Sequence, residues 1–251
     1  MTFGNIFAFM CARDDAFAKA VTPVPHDVIV AVQREHRVEL PATYVELLTL
    51  LGEKAPGYHP FGPTQDHAFS RLVELLPPRF YPGHDYFKIS RCTSYDIEPE
   101  EYYLDLTRAA GDDTPLVHLG FAGTFSRNHV HDLHLTLAEM LSRTALIDFE
   151  LRRKPHHAQV YAHADSTREA FTLRDRIIAH LQRLRMQMLL PAQPHVTGLG
   201  NHGRAAKVEI EDELVAIDLA GSDKAAVQQA AEHLLNNVPR SSQLNTDPVK
   251  G

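Results

Sequence analysis

The chain has 251 residues, with 25 Lys+Arg against 32 Asp+Glu, a formal charge of −7. Hydrophobic residues make up 44% and charged residues 23%. That composition excludes wholesale disorder, because so much apolar side chain would not stay solvated. The negative charge argues against a general nucleic-acid binder, and the absence of an 18-residue apolar run argues against a transmembrane helix. Met1-Thr2-Phe3-Gly4 has no basic region ahead of its short apolar stretch, so no secretory signal is expected. Cys11 and Cys92 offer neither a disulfide framework nor a four-cysteine zinc site, so a reduced, cytoplasmic protein is the expectation. Histidine is the outlier, with 16 residues.

Charge is uneven: residues 1–157 carry 15 basic and 21 acidic side chains, residues 158–251 carry 10 and 11. The seam lies at the polar, proline-containing stretch Arg152–His157, which predicts a domain over residues 1–153, a second over 158–236 and a flexible tail over 237–251. Phe3, Ile6, Phe7 and Met10 have helical spacing. A second helix is predicted from Asp27 to His36, with Val28, Ile29 and Val32 on one face. Pro41 suits a helix start, Tyr44, Leu47, Leu48 and Leu51 follow at i, i+3, i+4, i+7, and Gly52 stands where a left-handed stop belongs. Residues 56–63, rich in Pro and Gly, predict a loop. Phe69 to Leu76 suits a strand or a short helix before Pro77-Pro78. Tyr86–Ile89, Tyr102–Leu106 and Leu116–Leu119 read as strands, and Leu133, Leu137, Met140 and Leu141 as a closing helix. Few crossover helices separate these strands, so the fold class is α+β with a mostly antiparallel sheet.

In the second domain, Ala158–His163 reads as a strand, and Ser166 with Glu169 as a capping box opening a helix through Phe171, Ile178 and Leu181. Met186–Leu190 is a predicted strand. Lys207–Glu211 and Leu214–Leu219 alternate about an Asp212-Glu213 turn, and Val227, Ala230, Ala231 and Leu234 mark a last helix. The predicted order is βαβββα, a small two-layer sandwich.

Ile29 to Leu51 resembles the signature of the SUKH superfamily: an apolar helix, an apolar-x-Leu-Pro turn, then a helix opening x-x-Tyr and running on in leucines. Val38, Leu40, Pro41, Tyr44, Leu47 and Leu48 occupy those positions. Tyr102-Tyr103-Leu104-Asp105-Leu106 is similar to the family's Tyr-x-Leu-Asp-Leu strand, and Pro115-Leu116-Val117 and Ala138–Leu141 fall where its next strand and last helix stand. The resemblance covers about residues 20–150. Gly52–Gly57 replaces the family's glycine pair, and acidic Asp96–Glu101 its Gly-Asp. The resemblance implies a non-enzymatic immunity protein that binds and neutralises a bacterial toxin. Some relatives are intracellular regulators, which gives a scaffold role as the alternative.

Three segments invite chemistry. Asn128-His129-Val130-His131-Asp132-Leu133-His134 resembles a zinc-hydrolase motif, but Asp132 stands one place early. The plainer expectation is a loop carrying His129 and His131, Asp132 as an N-cap, and His134 in the first turn of a helix, with no metal bound. A zinc hydrolase using His129, His131 and His134 is the enzymatic alternative. Gly198-Leu199-Gly200-Asn201-His202-Gly203 fits G-x-G-x-x-G, but a strand follows where the dinucleotide fingerprint needs a helix, so a mobile glycine-rich loop is expected. No nucleophile elbow is present, Cys92 reads as a small core residue, and no cofactor is expected. The preferred site is acidic. Between Ser94 and Asp113 stand seven carboxylates and one base, Arg108. Asp105 alternates on a strand and is expected to be structural. Asp96, Glu98, Glu100, Glu101, Asp112 and Asp113 are the expected docking face for a protein toxin with a basic surface, because a toxin that holds phosphates has a cationic cleft.

Overall fold

The computed structural model describes residues 2–74, 85–93, 101–109, 111–119 and 130–244. The chain divides into two compact units, Met1–Thr144 and Ala145–Gly251. The division falls inside a helix, ahead of the Arg152–His157 stretch where composition places the seam.

The first unit opens with α1 (Phe3–Cys11), α2 (Phe17–Ala20), α3 (His26–His36) and α4 (Ala42–Leu51). Phe3, Ile6, Phe9 and Met10 form the buried stripe of α1; Phe7 is only half-buried. On α3, Ile29 and Val32 turn inward, while Val28 is 42% exposed. The turn from α3 to α4 is held by Gln33, whose Oε1 accepts from the Leu40 amide at 2.8 Å. Pro41 is the N-cap of α4 (φ −56°, ψ 144°), one position earlier than expected. The orphan amide of Thr43 in the first turn donates to the Asp112 carbonyl at 2.9 Å. Gly52 does not supply a left-handed stop, for its φ is −66°. Its need is space: a Cβ there would lie 2.7 Å from Leu48 Cα and 2.8 Å from Val24 Cγ2.

Two short strands, β1 (Gln65–Asp66) and β3 (Arg91–Cys92), pair antiparallel, with α5 (Phe69–Val73) and β2 (Tyr86–Lys88) between them in sequence. Of the ambiguous run Phe69–Leu76, Phe69–Val73 is helix with Phe69 and Leu72 buried, and Leu75 and Leu76 lie outside the described residues. β4 (Tyr102–Asp105), β5 (Pro115–Leu119) and β6 (Val130–Thr136) join β2 in an antiparallel sheet of order β2-β4-β5-β6. Register aligns Phe87, Leu104 and Leu116 on one face, where the Tyr44 ring of α4 meets Phe87 edge-on, centroids 6.0 Å apart. Tyr86, Tyr103, Val117 and Leu119 cluster on the other face.

Residues 130–136 correct an expectation. They form β6, not a loop and helix start, because Val130, His131 and Asp132 pair with Leu119, His118 and Val117 of β5. The ladder bulges between Asp132 and Thr136, and His134 takes φ 55° there. Asp132 therefore caps no helix, and Leu133 lies on the strand. Helix α6 (Leu137–Leu146) has its own capping box: the Thr136 amide donates to Glu139 Oε2 at 2.9 Å, and the Glu139 amide to Thr136 Oγ1 at 3.3 Å.

In the second unit a π-turn (Ile147–Leu151) leads to β7 (His156–His163), α7 (Thr167–Arg183), β8 (Gln187–Met188), β9 (Val196–Gly200), β10 (Arg204–Glu211), β11 (Leu214–Gly221), α8 (Lys224–Asn237) and β12 (Ser241–Leu244). The antiparallel sheet has order β12-β7-β11-β10-β9-β8. The expected βαβββα is thus extended by two strands. β9 contains Gly198-Leu199-Gly200, which is buried strand and not a mobile loop. The glycines answer crowding: a Cβ on Gly198 would lie 2.4 Å from Leu146 Cδ2, and one on Gly200 3.0 Å from Leu189 Cδ1. β12 continues the sheet into the expected tail, pairing Ser241–Leu244 with β7; residues 245–251 lie outside the described residues. The hairpin turns at Asp212-Glu213 as expected, with Glu211 opposite Leu214 and φ 56° at Asp212. Val208, Ile210, Val215, Ile217 and Leu219 share a core with Ile177 and Leu181 of α7 and with Val227, Ala230, Ala231 and Leu234 of α8. All described ladders are antiparallel and both units carry helices, so the protein is of the α+β class.

Candidate functional site

β4 ends in Asp105, and the chain then tightens into a 3-10 turn, Leu106–Arg108. Asp105 starts that turn: its Oδ1 accepts from the Thr107 amide (3.1 Å) and from Thr107 Oγ1 (2.5 Å). Its other oxygen takes Arg108 Nε at 2.6 Å. Arg108 Nη1 reaches across to Asp132 on β6, so one guanidinium bridges two strands. The Thr114 hydroxyl donates to the Asp105 carbonyl at 2.7 Å, fixing the strand end from behind. Asp105 is therefore structural as expected, but it also shapes a cleft. Asp85, Tyr86, Asp105, Thr107, Arg108, Val130 and Asp132 line an open hollow of about 400 Å³.

Three carboxylates, Asp85, Asp105 and Asp132, stand on the lining with one guanidinium, which pairs with Asp105 and Asp132. Desolvation alone would raise the Asp132 pKa; the hydrogen bonds from Arg108 and the His134 amide, with the charge of Arg108, overcome it and hold the carboxyl below its ordinary range. Arg108 is held above its own range, chiefly by the hydrogen bond to Asp132. Asp132 and Arg108 thus stay charged at neutral pH. The three carboxylates stand beside the Tyr86 ring and apolar Val130.

The expected docking residues separate. Asp96, Glu98 and Glu100 lie outside the described residues. Glu101 is paired with Lys88 Nζ at 2.6 Å and accepts from the Tyr103 hydroxyl at 3.1 Å. Asp113 Oδ1 accepts from the amides of Thr114 (2.9 Å) and Ala138 (3.2 Å), so it ties β5 to the first turn of α6. Asp112 is exposed, its side chain turned to solvent while its carbonyl serves α4. Asp85 and Arg108 were not singled out as site residues by sequence, and Asp132 was weighed only as a metal ligand or cap. Their common signal is proximity across strands, which no linear motif encodes.

The histidine segment separates as well. His129 lies outside the described residues, His131 is exposed and paired with His118, and His134 Nδ1 stands 3.9 Å from Asp132. Among the described residues no three histidine, cysteine or carboxylate side chains gather closely enough to hold a metal ion. Likewise, among them no helix is long and apolar enough to cross a membrane.

No model of a known protein family matches the chain, and no curated protein matches it. Among solved structures, one described as the NMR structure of PA4090 from Pseudomonas aeruginosa is similar over 37% of this chain and 98% of its own, at 11% identity and a TM-score of 0.26. A likeness that slight carries no argument about fold or function.

Proposed function

We propose that this chain is a binding protein of the immunity type, which grips a toxin that acts on nucleic acid and occludes its cationic cleft. It performs no chemistry of its own. The observation that carries this reading is the Asp85–Asp105–Asp132 cleft, an acidic hollow built on strand ends and pinned by Arg108. A basic side chain of the partner fits there, and exposed Asp112, with Asp96, Glu98 and Glu100 of the same acidic stretch, adds long-range attraction. The SUKH resemblance supports the same reading. Its signature residues Val38, Leu40, Tyr44, Leu47 and Leu48 are all buried, as a binding scaffold's core should be. Cytoplasmic residence belongs to the proposal, since the toxin must be met where nucleic acid is.

Co-expression with the toxin encoded in a neighbouring reading frame tests it. Protection of the cells and a complex on a sizing column are expected. Asp85→Lys should weaken the complex at least tenfold while leaving the far-ultraviolet circular dichroism unchanged. Full growth arrest with no complex would overturn the proposal.

A further inference from the structure

A second pair of groups stands on the helices of the second unit, apart from the acidic cleft. His180, near the end of α7, faces His233 of α8, with Nδ1 and Nε2 3.3 Å apart and ring centroids separated by 5.3 Å. Both rings are half-buried. Arg183 Nη1 lies 3.3 Å from the same Nδ1. A guanidinium can only donate, so His180 Nδ1 carries a lone pair. The one proton between the rings therefore belongs to His233 Nε2. If His233 instead carries its proton on Nδ1, its Nε2 offers a second lone pair, and two neutral imidazole nitrogens stand 3.3 Å apart. Two imidazoles bound tetrahedrally to zinc at about 2.0–2.1 Å stand about 3.3–3.4 Å apart, which is the spacing found.

We propose that His180 Nδ1 and His233 Nε2 form a two-histidine site for a borderline divalent cation of the zinc class, stapling α7 to α8. Binding selects the His233 tautomer protonated on Nδ1, the proton moving there from Nε2 by exchange with solvent so that both rings stay neutral, and water fills the remaining coordination positions. Exposed Arg183 swings away from Nδ1 as the cation takes its place. The staple closes a 53-residue span of chain, so a cation bound to the folded form alone raises its stability. This site is independent of the acidic cleft and of the toxin-binding proposal.

Calorimetric titration of the metal-stripped full chain with Zn²⁺ at neutral pH tests it, beside His180→Gln, His233→Gln and His131→Gln. The last variant controls for the many other histidines. One zinc per chain is expected, binding at least tenfold weaker in the His180 and His233 variants and unchanged in the His131 variant. Zinc should raise the melting temperature of the wild-type chain and of the His131 variant only. Equal affinity in all four proteins, or no melting shift in the wild type, overturns the site.

Discussion

At Gly52 and Gly198 the missing side chain matters more than backbone freedom. Gly52→Ala would drive a methyl group against the Leu48 backbone and Val24. A loss of about 2 kcal/mol, read by urea unfolding, is expected from such overpacking. His67 makes a different kind of demand. Burial pushes its pKa down to about 4, with His59 adding to the shift and Asp66 opposing it. Its Nε2 is buried with no hydrogen-bond partner among the described residues. The folded state therefore prefers the neutral ring, while the unfolded chain takes up a proton near pH 6.5. Stability is full above that pH, falls as the pH drops from about 6.5 toward 4, and levels off below. By pH 4 the loss attributable to this ring is about 3 kcal/mol. His67→Gln should flatten that part of the pH–stability curve; a curve identical to wild type would refute the assignment.

Helix starts show how far linear patterns reach. The Ser166–Glu169 box was legible in sequence, and it forms: the Glu169 amide donates to Ser166 Oγ at 3.3 Å, although the Glu169 carboxylate reaches back to the Asp165 amide, not to that of Ser166. Thr136-Leu137-Ala138-Glu139 has the same Ser/Thr-x-x-Glu form and marks α6, yet the histidine segment just before it drew the helix start upstream. Ser166→Ala and Thr136→Ala should each cost about 1 kcal/mol in thermal or chemical unfolding. A Thr136 variant as stable as wild type would mean that the Asp113 carboxylate caps α6 alone, since it already accepts from the Ala138 amide. Strand β8 falls within the expected Met186–Leu190, whereas β12 escaped: Ser241–Leu244 carries no apolar alternation, and it pairs with the edge that β7 offers.

For the molecule as a whole, the charge of −7 and the acidic cleft would guide electrostatically the association with a basic partner that we propose. Its association rate should fall about tenfold or more between low and high salt, with a much smaller change in dissociation; a salt-independent rate would separate the charge from the binding. Hydrophobic periodicity alone determined α1, α3, α4, α7, α8, the β10–β11 hairpin and the α+β class, because each of these buries a face whose spacing of 3.6 or 2 is written in consecutive residues. Tertiary structure alone decided that Asp85, Asp105, Asp132 and Arg108 share a cleft, that His180 meets His233 across 53 residues, and that Gly198–Gly200 of the glycine-rich run is buried strand. Those outcomes depend on which backbones lie side by side. Strand pairing brings distant residues within hydrogen-bond reach, and no local pattern records that distance.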